Sequence, residues 1–377
     1  MRIAIDGNEA NIEEKTGVHQ YAFEILYNIY RIASKSTTKY HFTIFLKNTS
    51  RSDMPKETDW WKYIVLPGEK VWILTKLMPH LLFHREHDVL FVPSHYVPPI
   101  LRIPTVCTIH DLGYLEFSGQ FKRYDFWQLK LWTAISLIVS KYIISVSNAT
   151  KKDIVRRYHR IDRNKVKTIY HGYDKVRYNQ NVSAATIKNI IKKYKIPNNY
   201  ILYLGTLKPS KNIEGIIRAF SKTKNKEQLK LVIAGKRGWL YESIYELVKK
   251  ERLQDKIIFT GYINENDKPA LYSGAKLLMS PSFWEGFGMQ VMEAFACGTP
   301  AVVSRVASLP EVAGKAGIYV NPNDISDITK KTEMVLQMDK LEYNQLQKKC
   351  IKQAENFSWE KAANDTLKVL EQSSKNA

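Results

Sequence analysis

The sequence is poor in cysteine and in long hydrophobic runs. It has 3 cysteines in 377 residues, and their positions fit neither a disulfide framework nor zinc-ligand spacing: Cys107, Cys297 and Cys350. No uninterrupted apolar run reaches membrane-spanning length, because the longest candidate, residues 131–146, is broken by polar side chains. The apolar run within residues 1–7 is too short for a signal peptide and predicts a first strand instead. These absences favour a cytoplasmic protein in a reducing compartment.

Acidic residues are also scarce relative to basic ones. The chain has 57 Lys and Arg against 37 Asp and Glu, a net charge of +20 and a pI near 9.5. Such a surplus suggests an anionic partner, which could be a nucleic acid, an anionic membrane surface or a phosphorylated substrate, unless it is only a solvated lysine-rich surface. No helix-turn-helix or RNA-binding aromatic pattern is present, so nucleic acid is the weaker alternative. Peripheral contact with the inner face of the membrane needs few residues, since each Lys or Arg near an anionic leaflet contributes about 1 kcal/mol.

The length predicts more than one domain, because a single core of this size is unusual. A hydrophobic content of 44% and a charged content of 25% are typical of a globular protein. Strand-like and helix-like segments alternate along the chain, and a new series begins at residues 200–205, which indicates an α/β fold with two similar halves. Asn and Ser accumulate near residues 175–185. We therefore predict domains at residues 1–178 and 179–356, followed by a final helix within 357–377.

Residues 280–300, SPSFWEGFGMQVMEAFACGTP, are the most informative stretch of the chain. A short apolar run precedes them and suits a buried parallel strand. Gly286 and Gly288 permit backbone conformations that a Cβ atom forbids. Residues 289–296 are mostly good helix formers. The pattern predicts a strand, a turn and a helix whose first N–H groups form an anion site.

Two carboxylates frame this predicted anion site. Glu285 lies in the turn, and Glu293 follows about two helical turns later on the same side of the helix. Because carboxylates repel phosphate, their natural partners are the hydroxyl groups of sugars attached to it. The arrangement suggests a nucleotide-sugar site, although a surface Glu and a capping Glu beside an ordinary turn are an equal alternative from spacing alone.

The wider pattern resembles a known family. Together with residues 304–314 (SRVASLPEVAG) and 320–324 (VNPND), the stretch looks like the signature of family 4 (group 1) retaining glycosyltransferases of the GT-B fold. Smaller motifs at residues 203–207, 234–239 and 308–311 are similar to those of bacterial mannosyl- or rhamnosyl-type transferases of O-antigen and capsule assembly, and the match is closest to the mannosyltransferases. The resemblance implies two Rossmann-like, doubly wound domains facing a cleft, with a C-terminal helix that crosses back to the first domain.

The same resemblance implies a reaction. It predicts transfer of a hexose from a nucleotide diphosphate sugar, with GDP-mannose favoured, to a saccharide or a lipid-linked acceptor. Members of the family generally retain the anomeric configuration and use no metal in catalysis, so we expect neither a metal nor another cofactor. The alternatives are a nucleotide-sugar epimerase of the same fold and a basic, nonenzymatic nucleic-acid-binding protein.

The family pattern assigns roles to residues of the second domain. Glu285 would contact the transferred sugar as a catalytic residue, and Glu293 would bind the ribose hydroxyls. The diphosphate would be held by the turn and the helix start: Gly286, Phe287, Gly288 and Met289. Lys211 matches the family's lysine that meets the pyrophosphate. The chain departs from the family at Thr206 and Ser210, where an arginine is common.

Two further residues belong to the first domain. His110 follows a predicted strand at residues 104–109, where ligands of open α/β sheets gather. It matches a family histidine that points at the donor sugar, although a structural role for His110 is the alternative. Gly17 precedes a predicted helix and resembles the family's glycine loop that approaches the donor phosphates, but a simple helix entry explains a single glycine equally well.

Overall fold

The computed structural model describes residues 1–35, 39–117, 119, 123–224 and 226–375. The chain divides into two compact units, Met1–Gly172 together with Phe357–Ala377, and Tyr173–Asn356. Each unit is built around one parallel sheet.

The first boundary between the units falls earlier than the predicted position at residue 178. Tyr178 explains the difference, because it is buried within the second unit. Its hydroxyl donates a hydrogen bond to Glu265 Oε2 at 3.1 Å, and its ring centroid lies 6.3 Å from that of Tyr272. The segment that sequence composition places in the first domain is therefore part of the second core.

The first unit contains a seven-stranded sheet. Its strands are β1 (Arg2–Asp6), β2 (His41–Leu46), β3 (Trp61–Val65), β4 (Val89–Val92), β5 (Thr105–Ile109), β6 (Tyr142–Ser145) and β7 (Val166–Thr168). They are all parallel, in the order β3-β2-β1-β4-β5-β6-β7. The strand order therefore changes direction between β1 and β4, which is the switch point where ligands of doubly wound sheets bind.

Among the described residues, five helices belong to the connections of this sheet. They are α1 (Val18–Ala33), α2 (Met78–Phe83), α3 (Gly113–Glu116), α4 (Arg123–Val139) and α5 (Asn148–Arg157). The sequence pattern predicts a helix over residues 121–139; residues 121 and 122 lie outside the described part of the chain. Ser147 caps α5 by accepting a hydrogen bond from the backbone N–H of Thr150, as the capping pattern predicts.

The apolar segment before β4 packs into the core of the first unit. Trp72, Leu77 and Leu81 are buried in one cluster with residues of the sheet such as Phe45 and Leu90. A short π-helix, Ile73–Leu77, leads directly into α2.

The second unit contains a six-stranded sheet. Its strands are β8 (Tyr200–Leu204), β9 (Lys230–Ala234), β10 (Ile257–Gly261), β11 (Leu278–Ser280), β12 (Ala301–Ser304) and β13 (Ile318–Val320). They are parallel, in the order β10-β9-β8-β11-β12-β13. The same reversal occurs here between β8 and β11, so the loops that follow these two strands meet at one edge of the sheet.

In the described part of the second unit, eight helices accompany the sheet. They are α6 (Ala184–Lys193), α7 (Ile213–Lys222), α8 (Glu242–Lys250), α9 (Lys268–Gly274), α10 (Met289–Ala296), α11 (Leu309–Ala313), α12 (Ile325–Leu336) and α13 (Lys340–Ala354). Helix α10 has the bounds predicted from its run of helix-forming residues. The core of the second unit contains buried strand residues such as Leu231 and Met279, which suits a sheet covered on both faces.

The last helix, α14 (Trp359–Lys375), belongs to the first unit, as the family resemblance implies. It packs along α1. The Trp359 ring stacks on His171 at 5.4 Å between centroids, and Tyr40 donates a hydrogen bond to Glu371. Among the described residues, no helix combines the length and the hydrophobicity needed to cross a bilayer.

Candidate functional site

The strand order of the second sheet brings two predicted site residues together. Lys211 ends a short 3-10 turn after β8, and Glu285 lies in the turn after β11. These strands are neighbours at the switch point, so the two loops emerge side by side. Lys211 Nζ lies 2.5 Å from Glu285 Oε2. Sequence reasoning selected both residues but did not predict that they form an ion pair.

The Glu285 carboxylate is held at both of its oxygens. Its Oε1 accepts hydrogen bonds from Ser282 Oγ at 3.1 Å and from Gln290 Nε2 at 2.8 Å, while Oε2 faces Lys211. The residue is only 7% exposed. Charge-assisted bonds to a buried carboxylate are short and directional, so its orientation is fixed before any substrate binds. Ser282 and Gln290 are not part of the predicted set; the signal that could have selected them is their closeness to Glu285 in sequence, Ser282 in the turn and Gln290 at the start of α10.

The backbone of the turn is supported from within the protein. Ser308 Oγ lies 2.8 Å from the carbonyl oxygen of Glu285 and 2.9 Å from that of Phe287, so its single O–H is shared between these two acceptors. Gly288 is the N-cap of α10 with φ +99°, a left-handed conformation that favours glycine. Met289 is the first helical residue, and Gly286 is partly exposed in the turn. The predicted turn therefore ends at a helix N-terminus whose first N–H groups point out of the helix.

Glu293 has its own set of partners. Tyr272 OH donates a hydrogen bond to Glu293 Oε2 at 2.8 Å. Burial raises the pKa of Glu293 to about 7, although the positive charge of Lys268 opposes this shift. Lys268 in turn forms an ion pair with Glu265. The site thus holds one carboxylate in an ion pair, Glu285, and one that titrates near neutral pH.

The chain departs from the family pattern at Thr206 and Ser210, and two lysines near these positions lie over aromatic rings. Lys208 Nζ is 4.9 Å from the centroid of Trp239, and Lys236 Nζ is 5.0 Å from that of Tyr262. Ser210, which stands at a position where an arginine is common, is buried. Its carbonyl oxygen accepts a hydrogen bond from the backbone N–H of Phe283 at 2.9 Å, which joins the β8 loop to the turn after β11. Ser210 therefore helps to hold the backbone of the turn after β11 in position.

In the first unit, His110 lies at the end of β5. Its Nε2 is 3.1 Å from the carbonyl oxygen of Pro93, and the edge of its ring meets Tyr21 at 4.8 Å between centroids. Burial lowers the pKa of His110, so the ring is neutral at neutral pH. Gly17 is the N-cap of α1 with φ +49°, and the space that a Cβ atom would fill is open. The backbone at Gly17 is thus accessible to a ligand.

Three polar residues near the same sheet edge are absent from the predicted set. Glu9 Oε2 lies 3.2 Å from His19 Nε2. Burial opposes ionisation of Glu9, but the hydrogen bond from His19 and the neighbouring His110 and His95 hold the pKa of its carboxyl below the usual value. Burial lowers the pKa of His95 to about 4. Their positions after β1 and β4, the two strands at the switch point, are the only sequence signal that could have selected Glu9, His19 and His95.

Within the described ranges, no three His, Cys, Asp or Glu side chains are grouped as metal ligands. The buried Nδ1 of His19 and Nε2 of His95 have no hydrogen-bond partner among the described atoms. The first unit thus includes two buried ring nitrogens that are left without a hydrogen-bond partner among the described atoms.

Comparison with known protein families identifies the class of protein to which these sheets and this turn belong. Residues 186–357 match the family model for glycosyl transferases group 1, and residues 51–177 match the model for glycosyltransferase family 4. The chain belongs to this family and is a glycosyltransferase with the Rossmann-like sheets of the GT-B fold. The family assignment does not favour the epimerase or the nucleic-acid-binding alternative.

Known relatives agree with this assignment. The chain is 31% identical over 280 residues to the O-antigen chain mannosyltransferase B of Escherichia coli, covering 73% of this chain and 72% of the relative. It is 30% identical over 288 residues to the serotype-specific mannosyltransferase WbdA of Escherichia coli, covering 74% of this chain but only 34% of that longer protein. The crystal structure of Anabaena Alr3699/HepE in complex with UDP-glucose aligns with a TM-score of 0.78 and 17% identity, over 99% of this chain and 100% of that one. This likeness shows the shared fold.

Proposed function

We propose that the protein transfers mannose from GDP-mannose to a saccharide or lipid-linked acceptor, with retention of configuration and without a catalytic metal. The observation that carries the proposal is the buried Lys211–Glu285 ion pair beside the N-terminus of α10. The mannosyltransferase names of two relatives support the choice of sugar. A pre-oriented carboxylate next to a helix start suits a ligand that joins sugar hydroxyls to a diphosphate.

The diphosphate would bind at the turn. Backbone N–H groups at Gly286, Phe287 and Gly288, with the first helical residue Met289, supply donors and the positive end of the α10 dipole. Lys211, whose Nζ lies 2.5 Å from Glu285 Oε2, would supply a positive charge to the same diphosphate. These groups would stabilise the leaving nucleoside diphosphate, which is the role that a metal ion fills in other transferases.

Glu293 would recognise the ribose. Its carboxylate already accepts one hydrogen bond from a hydroxyl, that of Tyr272, at 2.8 Å. The ribose hydroxyls would supply further donors of the same kind. Because a protonated carboxyl accepts such bonds poorly, this role requires the ionised form of Glu293, and the pKa of about 7 makes the role sensitive to pH.

Glu285 would hold the hydroxyls of the transferred mannose in the geometry of the transition state. The bond between mannose C1 and the diphosphate oxygen breaks, and a bond from the acceptor oxygen to C1 forms on the same face. The acceptor proton passes to the departing phosphate oxygen, so no enzyme base is required. His110, neutral at neutral pH, would hydrogen-bond a substrate hydroxyl through its ring.

The donor is tested by thermal shift with GDP, GDP-mannose, UDP, UDP-glucose, ADP-glucose and dTDP-glucose, each with and without EDTA. A ligand that binds only the folded state stabilises it by about 2.7 kcal/mol at a hundredfold excess over its Kd. We expect a shift with GDP-mannose that EDTA leaves unchanged. A shift with UDP-glucose alone would overturn the choice of mannose, and a shift that EDTA abolishes would overturn metal independence. NMR of the product formed from GDP-mannose reports whether the α-anomer is retained.

A further inference from the structure

The outer face of α4 carries a row of exposed apolar side chains. Tyr124 is 76% exposed, Trp127 58%, Leu131 61% and Ile138 69%. Their spacings of three, four and seven residues place them on one side of the helix. A surface helix normally presents polar residues at these positions.

The inner face of α4 is already used by the core. Leu137 is buried, and Phe126 and Leu129 pack against the same core cluster. The helix is therefore apolar on both sides, although among the described residues only its inner side packs against the core. A helix that is hydrophobic all round is normally covered all round, and a contiguous exposed apolar patch marks an interaction surface.

The surroundings of this face are basic. Residues 101–172, which include α4, contain thirteen Lys and Arg against five Asp and Glu. Arg123 and Asp125 are both exposed in the first turn of the helix, and Lys130, whose Nζ lies 4.7 Å from the centroid of the Trp127 ring, makes the net charge of this end of the helix positive. At the other end, Lys165 Nζ donates hydrogen bonds to the carbonyl oxygens of Leu137 and Ile138, each at 2.9 Å. Positive charge thus flanks the apolar row at both ends.

We propose that α4 binds an anionic lipid bilayer and lies in the headgroup region with Tyr124, Trp127, Leu131 and Ile138 directed toward the acyl chains. Tyr and Trp suit this depth because their rings are apolar and their polar tips can remain hydrated. Lys130 can extend its ammonium group to the headgroups while its stem follows the Trp127 ring. The surplus of eight positive charges in residues 101–172 favours an anionic surface over a second copy of the chain, which carries the same charge. This inference does not depend on the donor sugar.

The test uses sedimentation of the whole protein with vesicles of phosphatidylglycerol and phosphatidylethanolamine, and with vesicles of phosphatidylcholine alone. We expect binding to the anionic vesicles that weakens as salt rises, and little binding to phosphatidylcholine. The double variant Trp127→Gln/Leu131→Gln should bind at least tenfold more weakly. The matched control is Met334→Gln/Leu341→Gln, which removes two exposed apolar side chains from helices of the second unit and should bind like the wild type.

Insertion of the Trp127 ring into the bilayer is tested separately with brominated lipids, which quench the fluorescence of nearby tryptophan side chains. The Trp127→Phe variant keeps the apolar ring and should therefore still bind, but it should lose most of the quenching. Equal vesicle binding by wild type and Trp127→Gln/Leu131→Gln would overturn the proposal. So would a wild-type dimer in solution that this double variant abolishes, because α4 would then be an interface between copies of the chain.

Discussion

Lys211 Nζ lies 2.5 Å from Glu285 Oε2, and the two side chains are only 15% and 7% exposed. They come from loops that follow two neighbouring strands of the second sheet. Removal of one partner from a buried pair leaves the other charge uncompensated, which costs more than the pair contributes. The ion pair therefore links the stability of the second unit to the residues that we propose for catalysis.

We expect Lys211→Met to lower the free energy of unfolding by about 3 kcal/mol, because Glu285 then remains buried without its cation. The double variant Lys211→Met/Glu285→Gln should recover most of that loss, since no buried charge is left unpaired. Urea unfolding of the wild type, both single variants and the double variant measures the coupling energy. Additive effects of the two substitutions would show that the ion pair is energetically unimportant.

We expect Glu285→Ala to lower kcat by on the order of 100-fold or more, as the loss of one preorganised polar group does elsewhere. The KM for the donor should change less, because Glu285 acts on the transferred sugar in the transition state. Asp255→Asn is the control, since Asp255 is an exposed carboxylate that precedes β10, at the opposite edge of the sheet. Turnover close to wild type in Glu285→Ala would remove Glu285 from the mechanism.

Local sequence predicted the parts of the fold that depend on local interactions. Helix α10 has its predicted bounds, Met289–Ala296, because glycine, helix-forming residues and glycine follow one another within a few positions. The boundary between the units was misplaced for the opposite reason. Tyr178 joins the second unit through Glu265 and Tyr272, contacts that no nearby residue indicates.

The candidate site shows the same difference between what local sequence predicts and what contacts distant in sequence decide. The family pattern selected Glu285, Glu293 and Lys211 one by one, but it did not predict the contacts with residues distant in sequence, which are the Lys211–Glu285 ion pair and the hydrogen bond from Tyr272 to Glu293. The Lys211–Glu285 ion pair follows from the adjacency of β8 and β11, a property of the strand order. Glu9 and His19 have no motif of their own, and only their position after β1 brings them to the sheet edge.

Donor binding should become tighter as pH rises from 6 to 8. Burial raises the pKa of Glu293 to about 7, and the proposed bonds from the ribose require the ionised carboxylate. Isothermal titration with GDP-mannose measures the effect, because the phosphodiester groups of this donor do not titrate in that range. Glu293→Gln should bind the donor more weakly and with no pH dependence between 6 and 8. A wild-type affinity that is constant over this range would contradict the role of Glu293 in ribose binding.

The same pKa shift of Glu293 affects stability with a defined sign. The folded state holds the Glu293 proton up to about pH 7, whereas an unfolded glutamate loses it near its model value of 4.5. The group therefore contributes stability at low pH that is lost as pH rises from 4.5 through 7. Glu293→Gln should gain stability relative to the wild type at pH 8 and not at pH 4.5. Urea unfolding at the two pH values measures this difference.

The first unit should show the opposite dependence on pH. Burial lowers the pKa of His95 from 6.5 to about 4, with a further contribution from His110, although Glu9 and Asp111 oppose the shift. Between pH 6.5 and 4 the unfolded chain binds a proton at this histidine that the folded chain does not bind, so stability falls as pH falls. We expect His95→Gln to lose less stability than the wild type when pH is lowered from 7 to 5. The exposed His159 provides the matched control, His159→Gln, which should follow the wild-type pH profile. If His95→Gln loses as much stability as the wild type over this range, His95 is not the group that makes the first unit sensitive to acid.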